Sequence, residues 1–243
     1  MNSNEIIETE NVTKVKIKKE RKKQEPLEIC FNSENDNWEI GIDEAGRGPL
    51  FGRVYTAAVV LPKDKDLFDH SLMKDSKKFT SKKKINEVYE YIKKNAIAYN
   101  VSYEDETTID KINILQATFK SMHNSVRNIL QSKPEDKKIE KLLVDGNNFK
   151  PFTYLNNNHI TQLNHTCIEG GDNKFCSIAA ASILAKVERD KYIEELCEKN
   201  PDLDDKYGIL KNKGYGTRKH IDGIKQFGIS EFHRKTYGLC KNY

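Results

Sequence analysis

The chain has 243 residues, 32% of them charged and 37% hydrophobic, which is enough for one α/β core with a smaller appended unit. A net charge of +4 and a pI near 8.6 permit nucleic acid as a partner without requiring it. No apolar run approaches the roughly 20 residues a membrane helix needs, and the opening MNSNEIIETENVTK lacks the apolar core of a secretory signal. The expectation is a soluble, cytoplasmic monomer.

Five cysteines, Cys30, Cys167, Cys176, Cys197 and Cys240, form no CxxC pair and are odd in number, as in chains of a reducing compartment. Residues 1–36 are polar and without sustained periodicity, and read as a disordered arm. Within it Lys14 to Lys23 carries seven bases against one Glu, either a solvated tail or a phosphate-binding or nuclear-import segment. The whole arm holds eight acids against those seven bases, so the positive charge lies elsewhere.

The folded part is expected from about residue 37. Trp38 to Ile42 reads as a strand running into Asp43 and Glu44, and Arg53 to Leu61 as a second, buried strand. Thr80 or Ser81 caps a helix with Ile85, Val88, Tyr89 and Ile92 on one face. Ala96 to Ser102 is a third strand. Leu115, Phe119, Met122, Val126 and Ile129, spaced by three and four, mark a helix. Lys141 to Asp145 is a strand ending in an acid and a Gly146-Asn147-Asn148 turn, and His165 to Ile168 another strand. A long helix from Ser177 to about Glu198 stops at Asn200-Pro201. Residues 37–200 form the expected core, a mixed sheet covered by helices. Residues 201–243 form a helical extension with a loop, Gly214-Tyr215-Gly216.

Acids at the ends of buried strands need a compensating partner. Asp43, Glu44 and Asp145 stand at such ends, and Asp190 lies in the long helix, where alone it reads equally as a surface carboxylate. Gathered together, four carboxylates would suit Mg²⁺ or Mn²⁺, and two such ions about 4 Å apart can drive in-line phosphodiester hydrolysis. Neighbouring residues of a regular strand face opposite ways, so Asp43 and Glu44 share a site only if the strand breaks, which Gly46 and Gly48 permit. The turn Gly46-Arg47-Gly48-Pro49 leaves amides free for a phosphate or sugar hydroxyl. Asp75-Ser76-Lys77-Lys78 adds cations before a helix, and Tyr215 between glycines suits stacking on a sugar or base.

Several segments together resemble the ribonuclease HII family: GIDEAGRGPLFGRVYTAAVVLP (41–62), DSKKF (75–79), INILQATF (112–119), LVDGN (143–147), SIAAASILAKVERD (177–190) and HRKTYG (233–238). They occur in the family's order and span about residues 38–240. The resemblance implies a ribonuclease H-like α/β fold, a mixed five-stranded sheet flanked by helices with a small helical C-terminal unit. It implies an endonuclease with Asp43, Glu44, Asp145 and Asp190 as metal-binding catalytic acids. Its partner would be an RNA–DNA hybrid or ribonucleotide-containing duplex DNA, with products bearing a 5′-phosphate and a 3′-hydroxyl. Gly46, Arg47 and Gly48 would read the ribose 2′-OH, Tyr215 would pack on the adjacent sugar, and Lys77 and Lys186 would meet phosphates or the active site. The 2′-OH alone distinguishes a ribonucleotide from its deoxy counterpart, so the expected chemistry requires such a sensor.

Two positions depart from the family pattern. Gly170 stands where bacterial members usually carry a lysine before Gly-Asp, and Gly216 replaces the usual proline after Tyr215. A DNA nuclease or strand-transfer enzyme of the same fold class would use similar acids but has no need of the Gly-Arg-Gly turn with Tyr215. A non-catalytic hybrid-binding protein would have at least one of the four acids replaced, and all are present.

Overall fold

The computed structural model describes residues 26–243 apart from 136, 157 and 158. The basic run Lys14 to Lys23 lies outside the described residues. The expected five-stranded mixed sheet is present. Its strands are β1 (Trp38–Ala45), β2 (Val54–Val60), β3 (Ala98–Glu104), β4 (Ile139–Asp145) and, after a separate hairpin of β5 (Thr153–Asn156) and β6 (His159–Gln162), β7 (His165–Ile168). The spatial order is β3-β2-β1-β4-β7, with the first three antiparallel and β4 and β7 parallel to β1.

Every residue of β2 is buried, because helices cover both faces of the sheet's centre. On one face Tyr55, Ala57 and Val59 pack beneath α1 (Lys82–Asn95) and α4 (Cys176–Lys199). On the other, Ile40, Ile42, Ala58, Leu142 and Val144 meet Phe119, Met122, Val126 and Ile129 of α3 (Ile114–Ser132). Ser81, rather than Thr80, caps α1. The central helix α4 is apolar around most of its circumference, as a helix enclosed by its neighbours must be. Its approach to β1 is so close that a Cβ on Gly41 would fall on the Ser177 backbone, well inside van der Waals contact.

Two features differ from the sequence reading. The β5–β6 hairpin and α2 (Glu106–Ile112) were not expected, since both are short and mostly polar, with no long apolar period. The arm was expected to stay unstructured through residue 36, yet its last part docks on the core. Glu28 bridges to Phe175, and the amides of Phe31 and Asn32 donate to the buried Glu39 carboxylate at 2.6 and 2.7 Å. A buried carboxylate needs donors, and this segment supplies them.

Past α4, helices α5 (Asp202–Tyr207), α6 (Ile209–Asn212) and α7 (Arg218–Phe227) enclose Phe51 with Ile193, Cys197, Leu203, Tyr207 and Ile224. Phe51 stands two residues after Pro49, so the C-terminal unit is packed close to the Gly46–Pro49 turn. Among the described residues, no helix is long and apolar enough to cross a membrane.

Candidate active site

β1 pairs with β4 only as far as Ile42 opposite Val144, and beyond that point the two parallel strands release Asp43 and Asp145 at one sheet end. Asp43 is 5% exposed. Burial pushes its carboxyl well above the usual carboxylate range, and the charges of Glu44 and Asp145 push it further. Ser182 of α4 and the Glu44 amide, 2.7 Å from Asp43 Oδ1, hydrogen-bond to it and pull the other way. Glu44 is also raised by burial, against the pull of Arg47, whose Nη1 lies 3.2 Å from Glu44 Oε1.

The expected strand break between Asp43 and the glycines does not occur: β1 stays paired with β2 through Ala45 opposite Tyr55. Asp43 therefore faces α4, while Glu44 lies in a cleft on the α3 side with Arg47, Leu115, Asp145 and Asn147. Asp145 acts electrostatically on both. Asp145 is held by the Gly171 amide, 2.7 Å from its Oδ1. Ser182, Lys186 and Asp190 follow one another at four-residue spacing along α4, so the face that touches Asp43 leads to Asp190. Asp190 itself is engaged by Lys186 at 2.9 Å.

Among the described residues, no three of His, Cys, Asp and Glu stand close enough to cage a metal ion in this arrangement. Asp43, Glu44 and Asp145 are brought together, and Asp190 is turned aside to Lys186. The donor set nevertheless fits a hard divalent cation. It is all carboxylate oxygen, and the mutual charge that Glu44 and Asp145 impose on Asp43 is what such an ion would relieve.

Lys77 reaches the same end, 4.0 Å from Asp172. Burial lowers its ammonium, but Asp75, Asp172, Asp43 and Asp145 together hold it above its ordinary value. Asp172, whose carboxyl is raised by burial and then by Asp75 and Asp145, is an acid of this cluster to which the sequence reading assigned no role. Gly170 sits at φ 60°, a left-handed position that glycine takes without strain.

The Gly46–Pro49 turn is held by buried Arg234 and backed by buried Arg189, which fastens the neighbouring segments. Arg234, fully buried, donates to the carbonyls of Gly46 (2.6 Å), Arg47 (3.0 Å), Pro49 (2.9 Å) and Gly52 (2.8 Å). Arg189 donates to those of Phe51 (3.3 Å), Arg53 (3.2 Å) and Lys213 (2.9 Å). With its carbonyls drawn inward, the turn keeps the N–H groups of Gly46, Arg47 and Gly48 without an acceptor among the described residues. Gly46 has φ 91°, and any Cβ there would meet the Arg189 side chain. Nothing in the sequence signals this role, because the partners are backbone carbonyls.

Tyr215, 51% exposed, lies beside the turn: a Cβ on Gly48 would be 3.5 Å from its Cε1. The two loops are tied by the Leu50 amide donating to the Gly214 carbonyl at 2.9 Å. Asp43, Glu44, Asp145 and Lys77 thus lie within electrostatic reach of one another, the turn adjoins Glu44 through Arg47 and adjoins Tyr215, and Asp190 is paired with Lys186.

The family model described as Ribonuclease HII matches residues 40–240. Curated relatives include Ribonuclease HII of Cytophaga hutchinsonii, 40% identical over 209 residues (86% of this chain, 93% of the relative). That of Bacteroides thetaiotaomicron is 44% identical over 201 residues (83% and 90%). Among solved structures, ribonuclease H2 from Pyrococcus horikoshii shares the fold, with a TM-score of 0.63 and 22% identity over 84% of this chain and 96% of that one.

Proposed function

This chain belongs to the ribonuclease HII family and is a ribonuclease H, and on that premise we propose that it hydrolyses the RNA strand of RNA–DNA hybrids and incises duplex DNA at single embedded ribonucleotides. The observation that carries this reading is the adjacency of the carboxylate cluster to a turn whose free amides lie next to Tyr215. The amides of Gly46, Arg47 and Gly48 would donate to the ribose 2′-oxygen and the neighbouring phosphate, while Tyr215 packs on the adjoining sugar. An all-DNA strand offers those amides no hydroxyl, and buried donors left unpaired disfavour it.

Asp43, Glu44, Asp145 and Asp190 would hold two Mg²⁺ or Mn²⁺ ions. When bound, such ions lower the pKa of a water and stabilise a leaving oxygen. Ser182 and the Glu44 amide orient Asp43, and the Gly171 amide orients Asp145. Lys77 and Lys186 are placed to meet phosphate oxygens, Lys186 by exchanging Asp190 for substrate. Water attack at phosphorus with loss of the 3′-oxygen gives 5′-phosphate and 3′-hydroxyl ends. We place residues 37–200 as the catalytic core and 201–243 as the unit carrying the sugar sensor, in a cytoplasmic monomer that removes ribonucleotides and RNA primers during replication and repair.

The test is cleavage of three duplexes, one with a single ribonucleotide, one uniform RNA–DNA hybrid and one all-DNA, each with Mg²⁺ and with Mn²⁺. Incision of the first two and not the third is expected. Equal cutting of all-DNA duplex would overturn the reading.

A further inference from the structure

Two histidines lie buried behind Tyr215, and their hydrogen bonds admit one arrangement of protons. The Ser230 amide donates to His233 Nδ1 at 2.9 Å, so that nitrogen is an acceptor and the ring proton sits on Nε2. His233 Nε2 lies 3.0 Å from His220 Nε2, which must therefore accept. His220 then carries its proton on Nδ1, 3.0 Å from the Tyr215 carbonyl, to which it donates. The chain runs Ser230 to His233 to His220 to Tyr215, each link donating to the next. Exposures of 0% and 1% shut water out of both rings. Phe51 and Tyr207 wall them edge-on, Phe51 at 5.1 Å and Tyr207 at 4.9 Å from the His233 ring.

Nothing in the proposed chemistry uses these imidazoles, and no carboxylate is among the groups that shift either ring, which argues against acid–base work with the acids. Their connections point elsewhere. His233 bridges to Phe51, and the next residue, Arg234, donates its amide to the Leu50 carbonyl while its guanidinium gathers the turn's carbonyls. One dipeptide thus touches both halves of the sugar sensor, the turn through Arg234 and the tyrosine loop through His233 and His220.

We propose that His220 and His233 are positioning residues, a neutral imidazole relay that fixes Tyr215 against Gly48 and so sets discrimination at the ribonucleotide junction. The proposal rests on the reading of Tyr215 given above. Protonation of either ring would set N–H against N–H and break the relay; burial holds both rings below the ordinary histidine value, His233 at about 3. The titratable groups facing the pair are each other and Tyr207, with no carboxylate among them.

The test exploits geometry. An asparagine amide at position 220 can replace the Nδ1 donor to Tyr215, whereas a glutamine amide replaces Nε2 and leaves the Tyr215 carbonyl unserved. The quantity read is the rate on the single-ribonucleotide duplex divided by that on the uniform hybrid. His220→Gln should lower this ratio by about fivefold, and His220→Asn should restore most of it. In a Tyr215→Ala background His220→Gln should add no further loss. Ring ¹⁵N shifts should report Nδ1–H for His220 and Nε2–H for His233. Equal ratios in the two position-220 variants, or swapped tautomers, would overturn the relay while leaving Tyr215's role intact. An unchanged ratio in Tyr215→Ala would overturn the sensor reading itself, and the relay's purpose with it.

Discussion

Arg234 donates Nη2–H to the Gly46 carbonyl at 2.6 Å, joining residues 188 positions apart in the chain. A guanidinium can meet several carbonyls at once because its donors form a rigid planar fork. Here that fork makes an inside-out turn, with carbonyls inward and the amides of Gly46, Arg47 and Gly48 without an acceptor among the described residues.

Replacing Arg234 should therefore cost stability and specificity together. Arg234→Gln orphans several buried carbonyls, each worth about 1–3 kcal/mol, so a loss on the order of 3 kcal/mol or more is expected in urea unfolding. Arg234→Lys keeps a charge but not the fork and should recover less than half. A loss below about 1 kcal/mol for the glutamine variant would show that the turn holds itself.

Gly41→Ala should loosen the site from beneath. Its Cβ would strike the Ser177 backbone, which cannot rotate away as a side chain can. Helix α4 must lift from β1, taking Ser182 from Asp43. A loss of about 3 kcal/mol is expected, together with reduced turnover. An unchanged melting temperature would contradict the close packing.

Asp43→Asn should abolish cleavage yet raise stability when no divalent ion is added. The folded-state pKa of Asp43 lies above its unfolded value, so the native state binds the extra proton and loses stability as pH rises through that folded value. At neutral pH the ionised form is therefore a destabilising one, and asparagine removes it. A rise on the order of 2–5 °C is expected by calorimetry in chelator. Mg²⁺ or Mn²⁺ should stabilise the parent chain more than the variant. Retained turnover in the variant would refute the assignment of Asp43.

The buried histidines predict acid sensitivity of the opposite sign. His233 titrates at about 3 when folded, below its ordinary 6.5, so between those values the unfolded chain binds more protons. Stability should be whole above pH 6.5 and decline as pH falls towards 3, by on the order of 2 kcal/mol at pH 5 from this ring. His233→Gln should flatten that decline in pH-dependent urea titrations. An equally steep decline in the variant would assign the sensitivity elsewhere.

Much of the fold was legible because its signals are local. The three- and four-residue spacing from Leu115 to Ile129 marks α3, and the unbroken apolar run of β2 marks a strand covered on both faces. The acids were legible for a related reason: Asp43 and Asp145 each follow an apolar run, where an ionisable group is anomalous. The β5–β6 hairpin and α2 carry no such pattern, since they bury little surface and are held by their surroundings. The extension of β1 past Asp43 was equally hidden, because its pairing with β2 outweighs the break that Gly46 and Gly48 permit.

The sequence by itself determined the family and the groups the proposed chemistry draws on: carboxylates after apolar runs, a glycine turn, a tyrosine between glycines. The tertiary structure decided how that chemistry is held. Arg189 and Arg234 act on backbone carbonyls distant in sequence, His220 acts on that of Tyr215, and a backbone carbonyl has no letter in the sequence to betray that it needs a donor. Only folding, which buries those carbonyls and forces each to find a partner, brings the arginines and histidines to them.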